Sequence, residues 1–450
     1  MTTLTPQLLI IGWGKAGKTL AGRAADAGWE VVLVERSPQM YGGTCINIGC
    51  VPTKDLIVSA EAKRAGDDPA AYFRESVEGR DALIRKLNAA NYAMLADREE
   101  VTLLDGEARF VGPHEVVVDT HDGEVRVNAE YIVVNTGTMP RPLDVPGADG
   151  PRVFDSTTIQ HIDPFPKHLT IIGAGFIGCE FANMFSLFGS KVTMLDAGLE
   201  FLPRLDRDVA DAVSALFVER GIDVQQNAKV TAIGADGSVN AGDKIDSDAV
   251  LIAAGRTPAT AGLGLEEAGI ATDGRGFIVV DDQLRTSVDN VFATGDVNGG
   301  PQFTYISLDD FRIVADALFG PGARRRSDRV AVPNATFITP PLATVGMGEA
   351  DARDSGRNVL VGSLPVAKIA VMPRPKIVGE THGIIKLLVD ADSDELLGAT
   401  VFSIDAQEVI NLLALAIRSG TTATELRDGI WTHPSSTEAL NGVLNNLRPL

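Results

Sequence analysis

Two stretches of the chain repeat one pattern that few folds accommodate. The first, LLIIGWGKAGKTLAGRAADAGWEVVLVE, is an apolar run entering Gly12-x-Gly14-x-x-Gly17, then a helical run, then a second apolar run ending at Glu35. The second, LTIIGAGFIGCEFANMFSLFGSKVTMLD, has Gly173, Gly175 and Gly178 in the same frame and ends at Asp196. In both, the acid stands eighteen residues past the last glycine. Such glycines permit a tight turn, close approach to a pyrophosphate and packing of helix on strand. The helix N-terminus then faces the phosphates, and the carboxylate can bind ribose hydroxyls. A lone glycine triplet is weak evidence. Framed by strand, helix, strand and acid, it predicts a dinucleotide-binding fold, and two of them side by side suggest electron transfer from one dinucleotide to the other.

Later segments fit an α/β chain with two Rossmann-like dinucleotide-binding domains, the second inserted in the first. Residues 106–137 read as short strands and turns closing at Thr136-Gly137. AVLIAAGRTP, with Gly255, closes the second unit by the same strand-to-turn device. VFATGDVNG adds a strand, the Gly295 turn and Asp296, placed to bond a ribityl hydroxyl, although an aspartate in a turn is by itself only a turn residue. Beyond residue 333, the strands GIIKLLVD and LLGATVF and the apolar helix EVINLLALAIRSG read as a separate α+β domain without a glycine fingerprint. The expected boundaries are 1–149 and 271–333 for the first dinucleotide domain, 150–270 for the second and 334–450 for the last.

Composition narrows the partners. A formal charge of −20 argues against nucleic acid or anionic membrane as a binding partner. No run approaches the roughly twenty apolar residues of a membrane span. The run Leu8 to Ile11 is too short for a signal peptide, so a cytoplasmic location is expected. The chain has only three cysteines, yet GGTCINIGCVPTK places Cys45 and Cys50 five apart. A zinc site needs more ligands and a disulfide framework more cysteines, so no metal site is expected. Two inert thiols or a working dithiol remain, and the cytosol, where disulfides are mostly transient and catalytic, favours the dithiol. Cys179 reads as a small buried hydrophobe.

GGTCINIGCVPTK, TGDV and HPSSTE (433–438) resemble the redox-active segment, the flavin-binding turn and the C-terminal acid/base segment of one family. It is the flavin-dependent pyridine nucleotide–disulfide oxidoreductases of the glutathione reductase and dihydrolipoamide dehydrogenase type, and the resemblance covers essentially the full chain. GWGKAGKTL, YGGTCINIGC and QFTYISLDDFRIV (302–314) are most similar to the bacterial RclA-type members of reactive-chlorine resistance. The resemblance implies FAD held by Gly12, Gly14, Gly17, Glu35, Gly43, Thr44, Lys54, Thr136, Gly137 and Asp296. It implies a nicotinamide dinucleotide held by Gly173, Gly175, Gly178, Asp196 and Gly255. Cys50 becomes the thiol that contacts flavin and Cys45 the exposed thiol that attacks substrate. Lys54 is expected to pair with Glu180 beside the flavin. His433 would move the proton, with Glu438 holding its tautomer. In this family that histidine serves the opposite subunit, so a homodimer is expected.

The implied substrate is a small oxidant, hypothiocyanous acid or cupric ion, in a narrow pocket lined in part by QFTYISLDD. Mercuric reductases carry a C-terminal cysteine pair, whereas no cysteine follows Cys179 here. Glutathione reductases bind NADPH through arginines just after the second acid. Here Asp196 is followed by AGLEFLP before Arg204, which favours NADH, with NADPH the alternative. Dihydrolipoamide dehydrogenase or mercuric-reductase-like activity is the alternative within the family. A copper-binding redox sensor is the alternative outside catalysis, and it would have no need of a hydride path.

Overall fold

The apolar runs around the first glycine triplet form the buried strands Leu8–Ile11 and Val31–Glu35. In the computed structural model, which describes residues 2–450, they pair in parallel within an eight-stranded sheet. Its order is Thr2–Leu4, Gly123–Asn128, Glu115–Thr120, Val101–Phe110, Val31–Glu35, Leu8–Ile11, Tyr131–Val134 and Val291–Ala293. From Val101–Phe110 to Val291–Ala293 every pairing is parallel. Successive residues of Leu8–Ile11 enter opposite apolar clusters, Leu8 and Ile10 on one face and Leu9 and Ile11 on the other. With both faces covered the strand reads as a continuous apolar run. Helices Lys15–Asp26 and Thr304–Phe319 share the first cluster through Leu20, Ala24, Ile313 and Val314. This unit takes in the chain up to residue 56, residues 74–141 and residues 255–328.

The second unit comprises residues 57–73, 142–254 and 329–450. Its parallel sheet runs in the order Ile222–Gln225, Lys191–Leu195, His168–Ile172, Ala249–Ile252 and Val153–Phe154. A six-stranded sheet of order Asn334–Thr336, Leu342–Gly346, Leu396–Phe402, Ile384–Asp390, Val359–Pro365 and Arg448–Pro449 supplies the expected α+β part. Ile385, Leu387 and Val389 pack with helix Ala406–Ser419 through Val409, Ile410 and Leu413. The opposite face of that strand holds Lys386, 1% exposed. Its Nζ donates to Asp206 Oδ2 at 3.1 Å, to Asp208 Oδ1 at 2.5 Å and to Glu349 Oε1. The three carboxylates lie within 4.8 Å of one another and surround this ammonium. Such partners offset the cost of taking the ammonium out of water. The architecture is the α/β class the glycine frames predict, with the α+β domain after it.

Candidate active site

The two triplets need glycine for one steric reason. Gly12 has φ +100°, and a Cβ there would meet Asn135 O at 2.6 Å; Gly173 has φ +109°, and its Cβ would meet Ala253 O at 2.5 Å. In each unit the turn presses against the end of a neighbouring parallel strand. Asn135, which sequence reading passed over, fixes the first turn. Its Oδ1 accepts Gly17 N–H at 2.9 Å and its Nδ2 donates to Thr294 O at 2.8 Å. One amide thereby ties the glycine triplet to the TGDV turn.

Glu35 ends its strand 9% exposed, and its Oε2 accepts Trp13 N–H at 3.0 Å. Burial pushes its carboxyl up, against the N–H groups of Trp13, Ser37 and Arg36. Asp296 lies in the turn Gly295–Asn298 and accepts from Thr138 Oγ1 at 3.1 Å. Burial raises its carboxyl too, against Arg256 and Thr138. Trp13 Nε1, Thr136 Oγ1 and Thr294 Oγ1 are buried without a hydrogen-bond partner among the described residues. Spare buried polar atoms around a bare glycine turn are what a bound polar group would satisfy. Gly12, Gly14, Gly17, Glu35, Gly43, Thr44, Thr136, Gly137 and Asp296 all lie in this unit, and they fit a dinucleotide such as FAD.

In the second unit, Gly175 caps helix Phe176–Phe188, and no atom would lie within 4 Å of a Cβ on it. Asp196 follows strand Lys191–Leu195, half-buried, its N–H donating to Gln225 O at 2.9 Å. Gly178, Glu180 and Cys179 are buried in the same helix. The Glu180 Oε1 accepts Phe337 N–H at 2.9 Å, and burial pushes up the thiol of Cys179, whose Sγ donates to Ala174 O at 3.6 Å. Gly255 begins the last segment of the first unit, its carbonyl accepting Arg141 N–H at 3.0 Å.

Cys45 sits in the one-turn helix Thr44–Asn47, and Cys50 opens helix Cys50–Ala62, which also carries Lys54. Both are thiols here. Counting the protein's own atoms alone, Cys50 is exposed and Cys45 half-buried. Cys45 is tucked beside Lys18 and the second sulfur. A hydrogen bond to Cys50, then burial, then charge on Cys50 hold the Cys45 thiol protonated, opposed by Thr304 and Lys18. The pair thus resists a second negative charge.

Thr304, first residue of helix Thr304–Phe319, places its Oγ1 3.6 Å from Cys50 Sγ. Tyr305 stacks on Phe303 at 5.0 Å, and burial and the charge of Cys50 keep its phenol protonated. The segment QFTYISLDD therefore touches the dithiol itself. Threonine and tyrosine beside an aromatic were the available signal, but their target lay far away in sequence.

His433 is 70% exposed in its side chain, and its Nδ1 lies 2.8 Å from Glu438 Oε1. Glu438 Oε2 accepts Ser435 N–H at 2.8 Å. Burial works to raise the Glu438 carboxyl, but the Ser435 N–H and His433 together hold it below the usual carboxylate range. A carboxylate on Nδ1 leaves Nε2 outward to exchange a proton.

The family model "Pyridine nucleotide-disulphide oxidoreductase" matches residues 6–310, and that family's dimerisation domain matches residues 332–443. The chain is 44% identical over 444 residues to "Probable pyridine nucleotide-disulfide oxidoreductase RclA" of Escherichia coli (strain K12), covering 98% of both chains. It is 32% identical to a mercuric reductase of Staphylococcus aureus, over 96% of this chain and 81% of that one. A solved structure, described as the Cu(II) complex of HOCl-induced flavoprotein disulfide reductase RclA from Escherichia coli, superposes with a TM-score of 0.93 at 44% identity, covering 98% of this chain and 99% of that one. Membership implies FAD and NAD(P)H, and the dimerisation domain implies a homodimer. No helix among the described residues is long and apolar enough to cross a membrane. With its paired glycine frames and its close thiol pair, the chain belongs to the pyridine nucleotide–disulfide oxidoreductases as an RclA-like flavoprotein oxidoreductase.

Proposed function

We propose that the protein is an NADH-dependent, FAD- and dithiol-containing reductase of a small electrophilic oxidant, hypothiocyanous acid foremost and cupric ion second. It would act in the cytoplasm in defence against reactive chlorine. The observation that carries this reading is the Cys45–Cys50 thiol pair against Thr304, in a chain 44% identical to RclA over 98% of its length. The solved relative is described as HOCl-induced and as a Cu(II) complex, which supports oxidant and copper as the substrate classes to test.

When bound, the flavin carries an electron pair from the nicotinamide to the dithiol. The residues gathered around the first triplet hold it, and Gly173, Gly175, Gly178, Asp196 and Gly255 hold the nicotinamide dinucleotide. Lys54 and Glu180 set the position of the nicotinamide and the field at the flavin. The domain boundaries remain 1–149, 150–270, 271–333 and 334–450 in this reading. Cys45 gives its proton to His433 and attacks the sulfur of hypothiocyanous acid, forming an S–S bond as the S–O bond breaks. The departing oxygen leaves as water, taking that proton back from His433. The Cys50 thiolate then attacks the Cys45 sulfur, expels thiocyanate and closes the disulfide. Glu438 holds the histidine tautomer throughout.

The test compares kcat/KM for hypothiocyanous acid, cupric ion, glutathione disulfide and lipoamide with one enzyme batch. Rapid turnover of the first, slower turnover of the second and near-zero rates with both disulfides are expected. A disulfide as the fastest substrate would defeat the assignment while leaving the dithiol chemistry standing.

A further inference from the structure

Lys18 follows Gly17 in the first turn of helix Lys15–Asp26 and is only 7% exposed. The position is unfavourable twice over, because the ammonium leaves water and faces the positive end of a helix. Its Nζ donates to Asn91 Oδ1 at 2.5 Å and to the Gly42 carbonyl at 3.4 Å, two neutral acceptors. Asn91 comes from helix Pro69–Ala96 and donates its own Nδ2 to Leu87 O at 2.7 Å, which aims its oxygen at the amine. Gly42 belongs to the turn that delivers Thr44 and Cys45. The charges acting on Lys18 are Lys15, one turn back, which repels it, and Cys45, which attracts it. From the other side, Lys18 and Thr304 are the two groups that favour the Cys45 thiolate against Cys50 and burial. Burial brings the amine down to about 8, so it is charged at neutral pH and loses its charge just above.

We propose that Lys18 is a positioning residue for the dithiol: its ammonium anchors the Gly42–Gly43 turn and supplies the counter-charge to the Cys45 thiolate. The inference rests on the reading above, in which Cys45 is the attacking sulfur. Charge on Cys50 and burial both favour the protonated Cys45. The cation beneath the turn opposes them, so it eases transfer of that proton to His433 and makes the nucleophile available. A carboxylate partner for Lys18 would cancel the effect; two neutral acceptors leave its field directed at the sulfur.

The experiment uses a Cys50→Ser chain, in which Cys45 is the remaining thiol of the pair, carrying Lys18, Lys18→Met or Lys18→Arg. Flavin content is measured for each, and alkylation of Cys45 by iodoacetamide is followed by peptide mass spectrometry from about pH 5 to about pH 10. Lys18→Met should move the alkylation midpoint up by about one pH unit, slowing the reaction near neutral pH about tenfold. Lys18→Arg should restore most of the rate and abolish the inflection near pH 8 that titration of the lysine imposes. An unchanged profile in Lys18→Met overturns the proposal. Loss of flavin with an unchanged profile also overturns it, and assigns the ammonium to a pyrophosphate instead. If the methionine chain does not fold, the arginine chain decides, since an inflection kept by a side chain that does not titrate contradicts the idea. Alkylation needs no physiological substrate, so failure of the oxidant panel and failure of this inference are separately visible.

Discussion

Replacing Lys386 by methionine removes the ammonium from a buried charge cluster while nearly conserving volume. Asp206 and Glu349 are 9% and 23% exposed in their side chains, whereas Asp208, at 44%, is largely screened by water. The repulsion that counts is therefore between Asp206 and Glu349. Two carboxylates less than 4.8 Å apart repel by about 3–4 kcal/mol at an effective dielectric of about 20. That agrees with the ~3–5 kcal/mol typical when one partner of a buried pair is removed. Spread over a domain of this size, it lowers Tm by about 6–20 °C. The pH dependence follows from the directions of the shifts. Lys386 is held above its ordinary value: burial opposes its charge, but Asp208, Glu349 and Asp206 outweigh it. Its stabilisation is complete below the ordinary lysine range and is lost only as pH rises through the elevated folded value. Glu349 is held below its ordinary value, burial opposing and Lys386 and Arg353 prevailing. Its stabilisation is complete above the ordinary carboxylate range and is lost as pH falls through the depressed folded value. The loss in Lys386→Met should thus be largest near neutral pH and shrink toward about pH 4, where the orphaned carboxylates take up protons. Thermal unfolding across pH measures it, and native-state hydrogen exchange of Ile384–Asp390 against Leu8–Ile11 localises it. A variant within about 1 kcal/mol of the parent at neutral pH, or a loss that ignores pH, would refute the reasoning.

Two further outcomes bear on the reaction. His433→Ala should lower turnover roughly 10²–10⁴-fold, and mixing a Cys45→Ser chain with a His433→Ala chain should recover activity in demonstrated heterodimers, because one of the two shared sites is then intact. Heterodimers with no recovered activity would count against a site shared between subunits. NADH should exceed NADPH in kcat/KM by about tenfold or more, since Asp196 would accept ribose hydroxyls and repel a 2′-phosphate; equal constants for the two nucleotides would remove Asp196 as the discriminating residue.

What was legible in the sequence was what chemistry forces into short spacings. The glycine frames, Glu35 and Asp196, the Cys45–Cys50 offset and the His433–Glu438 offset are local patterns, and each appears in the structure as a local geometry. The tuning contacts are not local. Asn135 reaches Gly17 across 118 residues, Thr304 reaches Cys50 across 254, and Asn91 reaches Lys18 across 73. Helix Pro69–Ala96, which brings Asn91, buries only Phe73, Arg80, Asn91 and Leu95, so it lacks the apolar period that announces a helix. Lys386 did leave a trace, a lysine inside the apolar strand GIIKLLVD, but its three partners lie at 206, 208 and 349. The same division separates two kinds of property. A dithiol fed by a flavin follows from local motifs, so a chain sharing the glycine frames and CINIGC would share the electron path. How readily its sulfur ionises depends on Lys18, Thr304 and the elements that hold them, so chains of one mechanism can differ widely in which oxidants they reduce fast.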